Sequence, residues 1–213
     1  MSIRPIRIAL TKGRLEKSAV DIFDRMGMDT SALKNKGRRL ILPVGEYEAV
    51  LAKAADVITY IEHGVCDIGI VGKDTILEHA GSYYELLDLG IGKCRFALAA
   101  KAGTDFYAGY GAKTIATKYP AVTARFFEEK GMDVRIIKIE GSVELAPLLG
   151  LSDAIVDIVE TGSTLKENGL AVIETVTPIS ARVIVNMASL KLRKTEIETL
   201  VDTIKKAVDA SHD

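Results

Sequence analysis

The sequence predicts an α/β protein, because short β-rich runs alternate with helical patterns almost from end to end. The strand-like runs are rich in Val, Ile, Leu and Tyr, and Gly, Pro, Asn or Asp separates many of them from the helical patterns. Of the 213 residues, 48% are hydrophobic, which suffices for a sizeable core in one large domain or two small ones. We therefore expect helices packed on sheets.

The predicted strands follow the period-two or continuous apolar runs. In chain order they cover residues 6–10, 39–42, 47–51, 67–71, 84–89, 95–100, 134–139 and 154–159, with two more between 171 and 186. No internal repeat and no low-complexity tract interrupts this series.

The predicted helices show apolar residues at three- and four-residue spacing. They cover residues 15–26, 57–63, 74–80, 121–130, 143–149 and 194–210. In the last of them Ile197, Leu200, Val201, Ile204 and Val208 form one apolar stripe, so this helix should pack along one flank of a sheet. His63 precedes Gly64 at a predicted helix end, where a histidine commonly caps the helix, so we interpret it as a cap.

Composition excludes several classes of protein. The 28 Lys+Arg residues nearly cancel the 29 Asp+Glu residues, so no global field draws the protein to nucleic acid or to an anionic membrane. No stretch approaches the roughly 20 apolar residues of a spanning helix, and the opening MSIRPIRIAL lacks a secretory pattern, so we expect a cytoplasmic protein. Cys66 and Cys94 have no metal-ligand spacing, and we interpret both as buried small apolar residues.

A hydroxyl-rich glycine turn follows the predicted strand 154–159. Thr161, Ser163 and Thr164 surround Gly162 where a short helix is predicted to begin. Free N–H groups at a helix start, together with the helix dipole and a glycine that admits close approach, favour a phosphate. An isolated T-G-x-T pattern is more often an ordinary helix cap, so this pattern alone leaves both interpretations open.

Asp157 interrupts the apolar run of the same strand. A carboxylate in a buried strand costs several kcal/mol unless it is paired or reaches a polar ligand. With period two, Asp157 shares a face with Ile155 and Val159, whereas Glu160 belongs to the other face. Asp157 is therefore either a structural cap or a ligand-binding carboxylate.

A longer pattern around this strand favours the second interpretation. From Glu144 the chain runs ELAPLLGLSDAIVDIVETGSTL, and these 22 positions resemble the signature of the ATP phosphoribosyltransferase family. The segments IALTKGRL, DVITYIEHGVCDIGIVGKDTILE, LDLGIGKCRFALA and IATKYP are similar to the same family. The resemblance therefore covers essentially the whole chain.

The resemblance implies a fold and partners. The fold would be two-lobed and periplasmic-binding-protein-like (type II), with mixed sheets and a cleft between the lobes. We expect lobe I to hold residues 1–91 plus 178–213 and lobe II residues 92–177, with crossings near Gly90, Gly92 and the Thr177-Pro178 bond. In length the chain resembles the short form, which works as a hetero-oligomer with a regulatory subunit similar to histidyl-tRNA synthetase.

The resemblance also implies a reaction. Adenine N1 of ATP would attack C1 of phosphoribosyl pyrophosphate and release pyrophosphate, the first step of histidine biosynthesis. Thr161, Gly162, Ser163 and Thr164 would hold the 5-phosphate, whereas Asp157 and Glu144 would face the ribose hydroxyls or the Mg²⁺ that accompanies the substrate. Glu160 is a further candidate beside them.

The remaining candidate residues lie in the first half of the chain. Lys12 and Arg14, with Gly13 between them, would bind pyrophosphate or the ATP triphosphate as the catalytic cations, helped by Arg39 or its neighbour Arg38. The further candidates for phosphate and nucleotide binding are Lys53, Asp67, Gly72 and Asp74. The glycines Gly69 and Gly72 would leave room for adenine, or else serve close helix packing.

Two other functions remain open from the residues alone. The protein would be a ligand-binding protein without catalysis if the two-lobed fold served binding only. It would be a salvage phosphoribosyltransferase if the acids and the T-G-x-T turn served a free base, although Asp157 and Glu160 are not adjacent as that site requires.

Overall fold

The computed structural model describes residues 4–109 and 111–210. The chain forms two compact units: unit 1 extends to Gly92 and resumes at Ser180, and unit 2 is Lys93–Ile179. The sequence predicts these changes of unit after residues 91 and 177. Each unit is built on its own mixed sheet.

The elements have the following bounds. The strands are β1 (Arg7–Thr11), β2 (Ile41–Val44), β3 (Tyr47–Ala52), β4 (Ile68–Gly72), β5 (Tyr83–Asp88), β6 (Cys94–Lys101), β7 (Lys113–Thr117), β8 (Val134–Lys138), β9 (Ala154–Val159), β10 (Leu170–Ile179) and β11 (Ala181–Asn186). The helices are α1 (Arg14–Arg25), α2 (Ser31–Lys34), α3 (Ala54–Glu62), α4 (Lys73–Glu78), α5 (Pro120–Glu129), α6 (Leu145–Leu148), α7 (Ser163–Glu167), α8 (Met187–Leu192) and α9 (Lys194–Asp209).

The sheet of unit 1 has the strand order β2-β3-β1-β4-β11-β5. Strand β1 runs parallel to both β3 and β4, whereas β2, β11 and β5 pair antiparallel with their neighbours. The carboxyl ends of β1, β3 and β4 therefore lie at the same edge of the sheet, which we call the unit 1 edge.

Helices cover both faces of this sheet. Ile8 and Leu10 of β1 pack in one hydrophobic cluster with residues of α1 and α9, and Ala9 packs on the other face with residues of α3. All five residues of the apolar stripe predicted for the last helix are buried in α9, which confirms that prediction.

The sheet of unit 2 has the strand order β10-β6-β9-β7-β8. Strands β7, β8 and β9 run parallel, and β6 and β10 are antiparallel to their neighbours. The carboxyl ends of β7, β8 and β9 share a second edge, which we call the unit 2 edge.

The two chain segments that change unit run side by side. On the unit 1 side, the N–H of Ala181 donates to the carbonyl of Ile91 at 2.9 Å. On the unit 2 side, Cys94 pairs with Ile179 at the ends of β6 and β10. Because the chain enters and leaves unit 2 through adjacent segments, β6 and β10 run antiparallel.

Several smaller expectations can be compared with the structure. His63 ends α3 as its C-cap, with Nδ1 3.0 Å from the carbonyl of Thr59, which confirms the cap interpretation. Cys66 is buried, and burial raises the pKa of its thiol to about 11, but Cys94 is only half-buried because it begins β6 at the chain crossing. Among the described residues no helix is both long and apolar enough to span a membrane.

Candidate functional site

The unit 1 edge gathers most of the candidate residues from the first half of the chain. Lys12 follows β1, Lys53 follows β3, and Gly72 ends β4. The N–H of Lys12 donates to the carbonyl of Ala52 at 2.9 Å, which ties the ends of β1 and β3 together. Ligands of open α/β sheets bind outside the carboxyl ends of the strands, so this edge is where a ligand is expected.

The turn Lys12-Gly13-Arg14 presents two exposed cations at this edge. Gly13 has φ 101° and ψ −131°, a conformation that residues with a Cβ rarely adopt. Helix α1 begins directly after it at Arg14. The glycine therefore lets the chain turn from strand to helix within two residues, Lys12 and Gly13, and both cations stay close to the strand end.

Arg39 reaches the same edge from another direction. It precedes β2, and the carbonyl of Leu40 accepts the N–H of Leu51 at 2.8 Å near the end of β3. The guanidinium of Arg39 donates to the carbonyls of Lys36 (3.3 Å) and Asn35 (3.1 Å) in its own segment. Arg38 is also exposed, so exposure alone does not separate the two arginines.

The segment after β4 has two glycines with different surroundings. A Cβ on Gly72 would lie 2.0 Å from Oδ1 of Asp74, so the glycine makes room for that carboxylate at the start of α4. A Cβ on Gly69 would lie 2.9 Å from side-chain atoms of Ile61 and Val57, so Gly69 serves close packing of α3 on β4.

Asp67 lies elsewhere: it immediately precedes β4, at the amino end of that strand. It is 1% exposed. It accepts hydrogen bonds from the Arg4 guanidinium (2.5 and 3.1 Å), the Arg7 N–H (2.9 Å) and the Ser189 hydroxyl (2.7 Å). Burial alone would raise the pKa of Asp67, but these hydrogen bonds lower it overall. This position argues against the nucleotide contact expected from the sequence and gives Asp67 an internal structural role.

The unit 2 edge gathers the candidates of the second half. Glu144 precedes α6 in the segment after β8, and residues 160–164 follow β9. Lys118 directly follows β7 at the same edge and lowers the pKa of Asp157 by its charge. Lys118 belongs to the segment IATKYP, and the sequence patterns alone assign it no role. A cation directly after a parallel strand would have indicated a candidate binding residue, but strand β7 was not predicted, so this signal was not recognised.

The glycine turn after β9 has the conformation that its sequence suggests. Gly162 has φ 83° and ψ 5°, the left-handed region, and α7 begins at the next residue. The Thr161 hydroxyl lies 3.1 Å from the Ser163 hydroxyl and accepts the Ser163 N–H at 3.3 Å. Thr161, Ser163 and Thr164 are exposed, as is Glu160, whereas Leu165 is buried and anchors the turn.

Asp157 lies in β9, opposite Ala97 of β6. Its strand neighbours Ile155 and Val159 belong to the hydrophobic cluster of unit 2, together with Ala97. Burial raises the pKa of Asp157 to about 6, and the charge of Glu144 adds to this, against the N–H of Ile158 and the charge of Lys118. Asp157 is thus partly buried and is affected by the negative charge of Glu144, so ionisation of its carboxyl group is costly.

Asp157 and Glu144 are the acids at the unit 2 edge that could contact a metal ion bound together with a substrate. Within residues 4–109 and 111–210, no group of three or more His, Cys, Asp or Glu residues could hold a metal ion. Mg²⁺ is commonly bound by one or two carboxylates plus substrate phosphates. After burial, the charge of Glu144 raises the pKa of Asp157 further, so these two carboxylates are the candidates for such a site.

Comparisons with known proteins agree on one family. The family model described as HisG, ATP phosphoribosyltransferase, matches residues 53–206. An ATP phosphoribosyltransferase of Clostridium kluyveri is 61% identical over 204 residues, which cover 95% of this chain and 93% of that protein. One of Listeria monocytogenes serotype 4a is 57% identical over 208 residues, 97% of each.

Solved structures give the same result at the level of the fold. A chain of the ATP phosphoribosyl transferase (HisG:HisZ) complex from Thermotoga maritima aligns with TM-score 0.83 and 35% identity, covering 98% of this chain and all of that one. The periplasmic aliphatic sulphonate binding protein SsuA from Escherichia coli aligns with TM-score 0.59 at 11% identity, covering 99% of this chain and 75% of that one, and shows the fold alone. The expected α/β, two-lobed fold of the type II periplasmic-binding-protein kind, with mixed sheets, is confirmed.

Proposed function

We propose a specific assignment of binding roles for this chain, which belongs to the ATP phosphoribosyltransferase family of histidine biosynthesis. The reaction forms a bond between N1 of the adenine of ATP and C1 of the ribose of phosphoribosyl pyrophosphate. The bond from C1 to the pyrophosphate oxygen breaks, and pyrophosphate leaves with the electron pair. The product is N1-(5-phosphoribosyl)-ATP.

One observation carries the proposal: the family match over residues 53–206 includes the whole unit 2 edge. Glu144, Asp157 and the glycine turn at Gly162 all fall within it. Of the cations at the unit 1 edge, only Lys53 lies within this match. The others are supported by the 61% identity to the Clostridium kluyveri protein, which extends over 95% of the chain.

The unit 2 edge binds phosphoribosyl pyrophosphate. The exposed hydroxyls of Thr161, Ser163 and Thr164 and the N–H groups at the start of α7 donate to the 5-phosphate, and Gly162 lets the backbone approach it. Asp157 and Glu144 accept from the ribose hydroxyls. A sugar hydroxyl that donates to Asp157 stabilises the ionised carboxylate, which the protein alone disfavours.

The unit 1 edge binds phosphate chains. Lys12, Arg14, Arg39 and Lys53 supply positive charge to the ATP triphosphate or to the departing pyrophosphate, where negative charge increases during the reaction. Gly72 and Asp74, at the end of β4, contact the adenosine part of ATP. Asp67 is left out, because its carboxylate is occupied within the protein.

Mg²⁺ bound with the substrate would be held by Asp157 and Glu144. When bound, it neutralises part of the charge on the pyrophosphate group. Adenine N1 carries a free lone pair, so no protein base is needed to create the nucleophile. The residues therefore act by positioning the substrates and by stabilising charge.

We further propose that the chain works as part of a hetero-oligomer in the cytoplasm, where ATP is supplied. The support is the similar Thermotoga maritima chain, whose structure is that of a HisG:HisZ complex. The expected partner is a regulatory subunit similar to histidyl-tRNA synthetase. Purified chain alone should show little activity and no inhibition by histidine, and adding the partner should raise the activity and confer that inhibition.

The reaction itself is tested by incubating the chain and its partner with ATP, phosphoribosyl pyrophosphate and Mg²⁺. We expect N1-(5-phosphoribosyl)-ATP and stoichiometric pyrophosphate. Conversion of a free purine or pyrimidine base in place of ATP would indicate a salvage enzyme. Binding of both ligands without any turnover in the complete complex would indicate a binding protein.

A further inference from the structure

Glu16 is a buried acid that none of the roles above uses. It is the third residue of α1 and is 6% exposed. Its Oε2 accepts the N–H of Gly13 at 3.4 Å, and its Oε1 forms an ion pair with the ammonium group of Lys36. Each carboxylate oxygen therefore has a partner in a different segment of the chain.

Through these partners Glu16 is connected to two cationic segments at the unit 1 edge, Lys12–Arg14 and Lys36–Arg39. Gly13 is the centre of the Lys12-Gly13-Arg14 turn. The carbonyl of Lys36 accepts both the N–H (3.1 Å) and Nε (3.3 Å) of Arg39. A continuous series of contacts thus runs from Gly13 through Glu16 and Lys36 to Arg39.

The charges at this edge explain why a buried carboxylate is useful there. Lys12, Arg14, Lys36 and Arg39 are cations on two segments, and like charges on neighbouring segments repel one another. A buried carboxylate is costly unless it is paired, so Glu16 is stable only while its contacts are made.

A first-turn glutamate that accepts an N–H is also a common helix cap. Other first-turn acids of this chain are solvated: Asp56 and Glu196, in the first turns of α3 and α9, are exposed. Glu16 differs from both in its burial. Its ion pair reaches Lys36, 20 residues along the chain, whereas Glu196 pairs with Arg193 three residues away. Capping alone explains neither feature.

We propose that Glu16 is a positioning residue that holds the Lys12–Arg14 turn and the Lys36–Arg39 segment together as one surface for a phosphate chain. The inference rests on the proposed function, which assigns phosphate binding to this edge. Glu16 acts through Gly13 and Lys36 and does not itself contact the substrate.

The test uses inorganic tripolyphosphate as the probe, because its binding does not require turnover. In calorimetric titration at pH 7.5, Glu16→Gln should weaken tripolyphosphate binding about 10-fold, as expected for a lost charge-assisted pair of about 1.4 kcal/mol. Lys36→Met should weaken it similarly, and the double variant should be no weaker than the worse single one, because both changes break the same link.

Glu48→Gln is the matched control. Glu48 pairs with Arg7 at 2.8 Å at the amino end of β1, away from the unit 1 edge, and tripolyphosphate binding should be unchanged. Unchanged binding in Glu16→Gln, with only a lower melting temperature, would overturn the inference. If Glu16→Gln does not fold, Glu16→Asp takes its place, because Lys36→Met also removes a cation from this edge and cannot decide alone.

Turnover distinguishes this inference from the proposed function. In the complete complex we expect Glu16→Gln to raise the KM of at least one substrate about 10-fold, with a smaller change in kcat. A wild-type complex that binds tripolyphosphate but forms no product would reject the proposed function, whereas the tripolyphosphate titrations of the variants would still decide the role of Glu16.

Discussion

Burial and, to a smaller extent, the charge of Glu144 raise the pKa of Asp157 to about 6 in the folded protein. The unfolded value is near 3.8. Ionisation of Asp157 is therefore harder in the folded chain than in the unfolded one, and the free energy of unfolding should fall as the pH rises between these two values. Above about pH 6 the whole cost is present.

Asp157→Asn should consequently stabilise the protein at neutral pH. A shift of about two pKa units corresponds to roughly 3 kcal/mol, which is an upper limit because the buried amide also needs partners. We expect a gain of about 2 kcal/mol at pH 7.5 that vanishes below pH 4, measured by urea unfolding at both values. Glu167→Gln, exposed on α7, should change little at either pH. A loss of stability at pH 7.5 in Asp157→Asn would contradict the assignment.

Thr161→Ala and Thr164→Ala should raise the KM of phosphoribosyl pyrophosphate far more than that of ATP, by about 10-fold for each lost hydroxyl contact to a charged group. The reason is that both hydroxyls are assigned to the 5-phosphate. Thr161→Ser should restore most of the affinity, since it keeps the hydroxyl that accepts the Ser163 N–H. Equal effects on both substrates in steady-state kinetics would refute the assignment.

Gly162→Ala should separate backbone strain from ligand binding. Gly162 and Gly131 both have positive φ, 83° and 65°. An added Cβ would meet nothing within 4 Å at Gly131 and only Cγ1 of Val159, at an ordinary contact distance of 3.7 Å, at Gly162. Each change to Ala should therefore cost about 1 kcal/mol of stability. Only Gly162→Ala should also weaken phosphoribosyl pyrophosphate binding, because only that turn approaches the phosphate. Comparable KM values for the two variants would be evidence against the turn as the phosphate site.

Asp67→Asn should mainly lower stability, whereas Asp74→Asn should mainly weaken ATP binding. Asp67 forms a buried ion pair with Arg4, so its change should cost on the order of 3 kcal/mol in urea unfolding, with the KM of ATP unchanged. Asp74 lies at the unit 1 edge, and its change should raise the KM of ATP while stability changes by less than about 0.5 kcal/mol. The reverse pattern would show that Asp67, not Asp74, contacts the nucleotide.

The sequence predicted the elements that have strong patterns. Strand β9 was placed at its observed bounds because its apolar run is nearly continuous, and the buried stripe of α9 was predicted in full because that helix is long and clearly periodic. Strand β7 was missed, since only Ile115 and Ala116 in its centre are apolar and fully buried. The short helices α2 and α8 were missed for a similar reason: four and six residues give too few turns for a periodicity.

The candidate site was predicted unevenly because local patterns do not specify distant partners. Asp67 and Asp74 flank the same strand in DIGIVGKD, and strand direction, which puts Asp74 at the carboxyl edge, decides between them. Glu16 resembles an ordinary helix cap in sequence, and its burial depends on Lys36, 20 residues further along. Lys118 was overlooked together with β7.

Unit 2 is a single uninterrupted stretch of chain whose first and last strands pair with one another, Cys94 with Ile179. Its two termini therefore emerge as neighbours, as in a domain inserted into a host. Residues 93–179, expressed alone, should therefore fold with their complete sheet. In unit 1, a short linker should join Ile91 to Ala181, because their backbones already form a hydrogen bond of 2.9 Å. Circular permutation that joins the ends of unit 2 should be tolerated for the same reason.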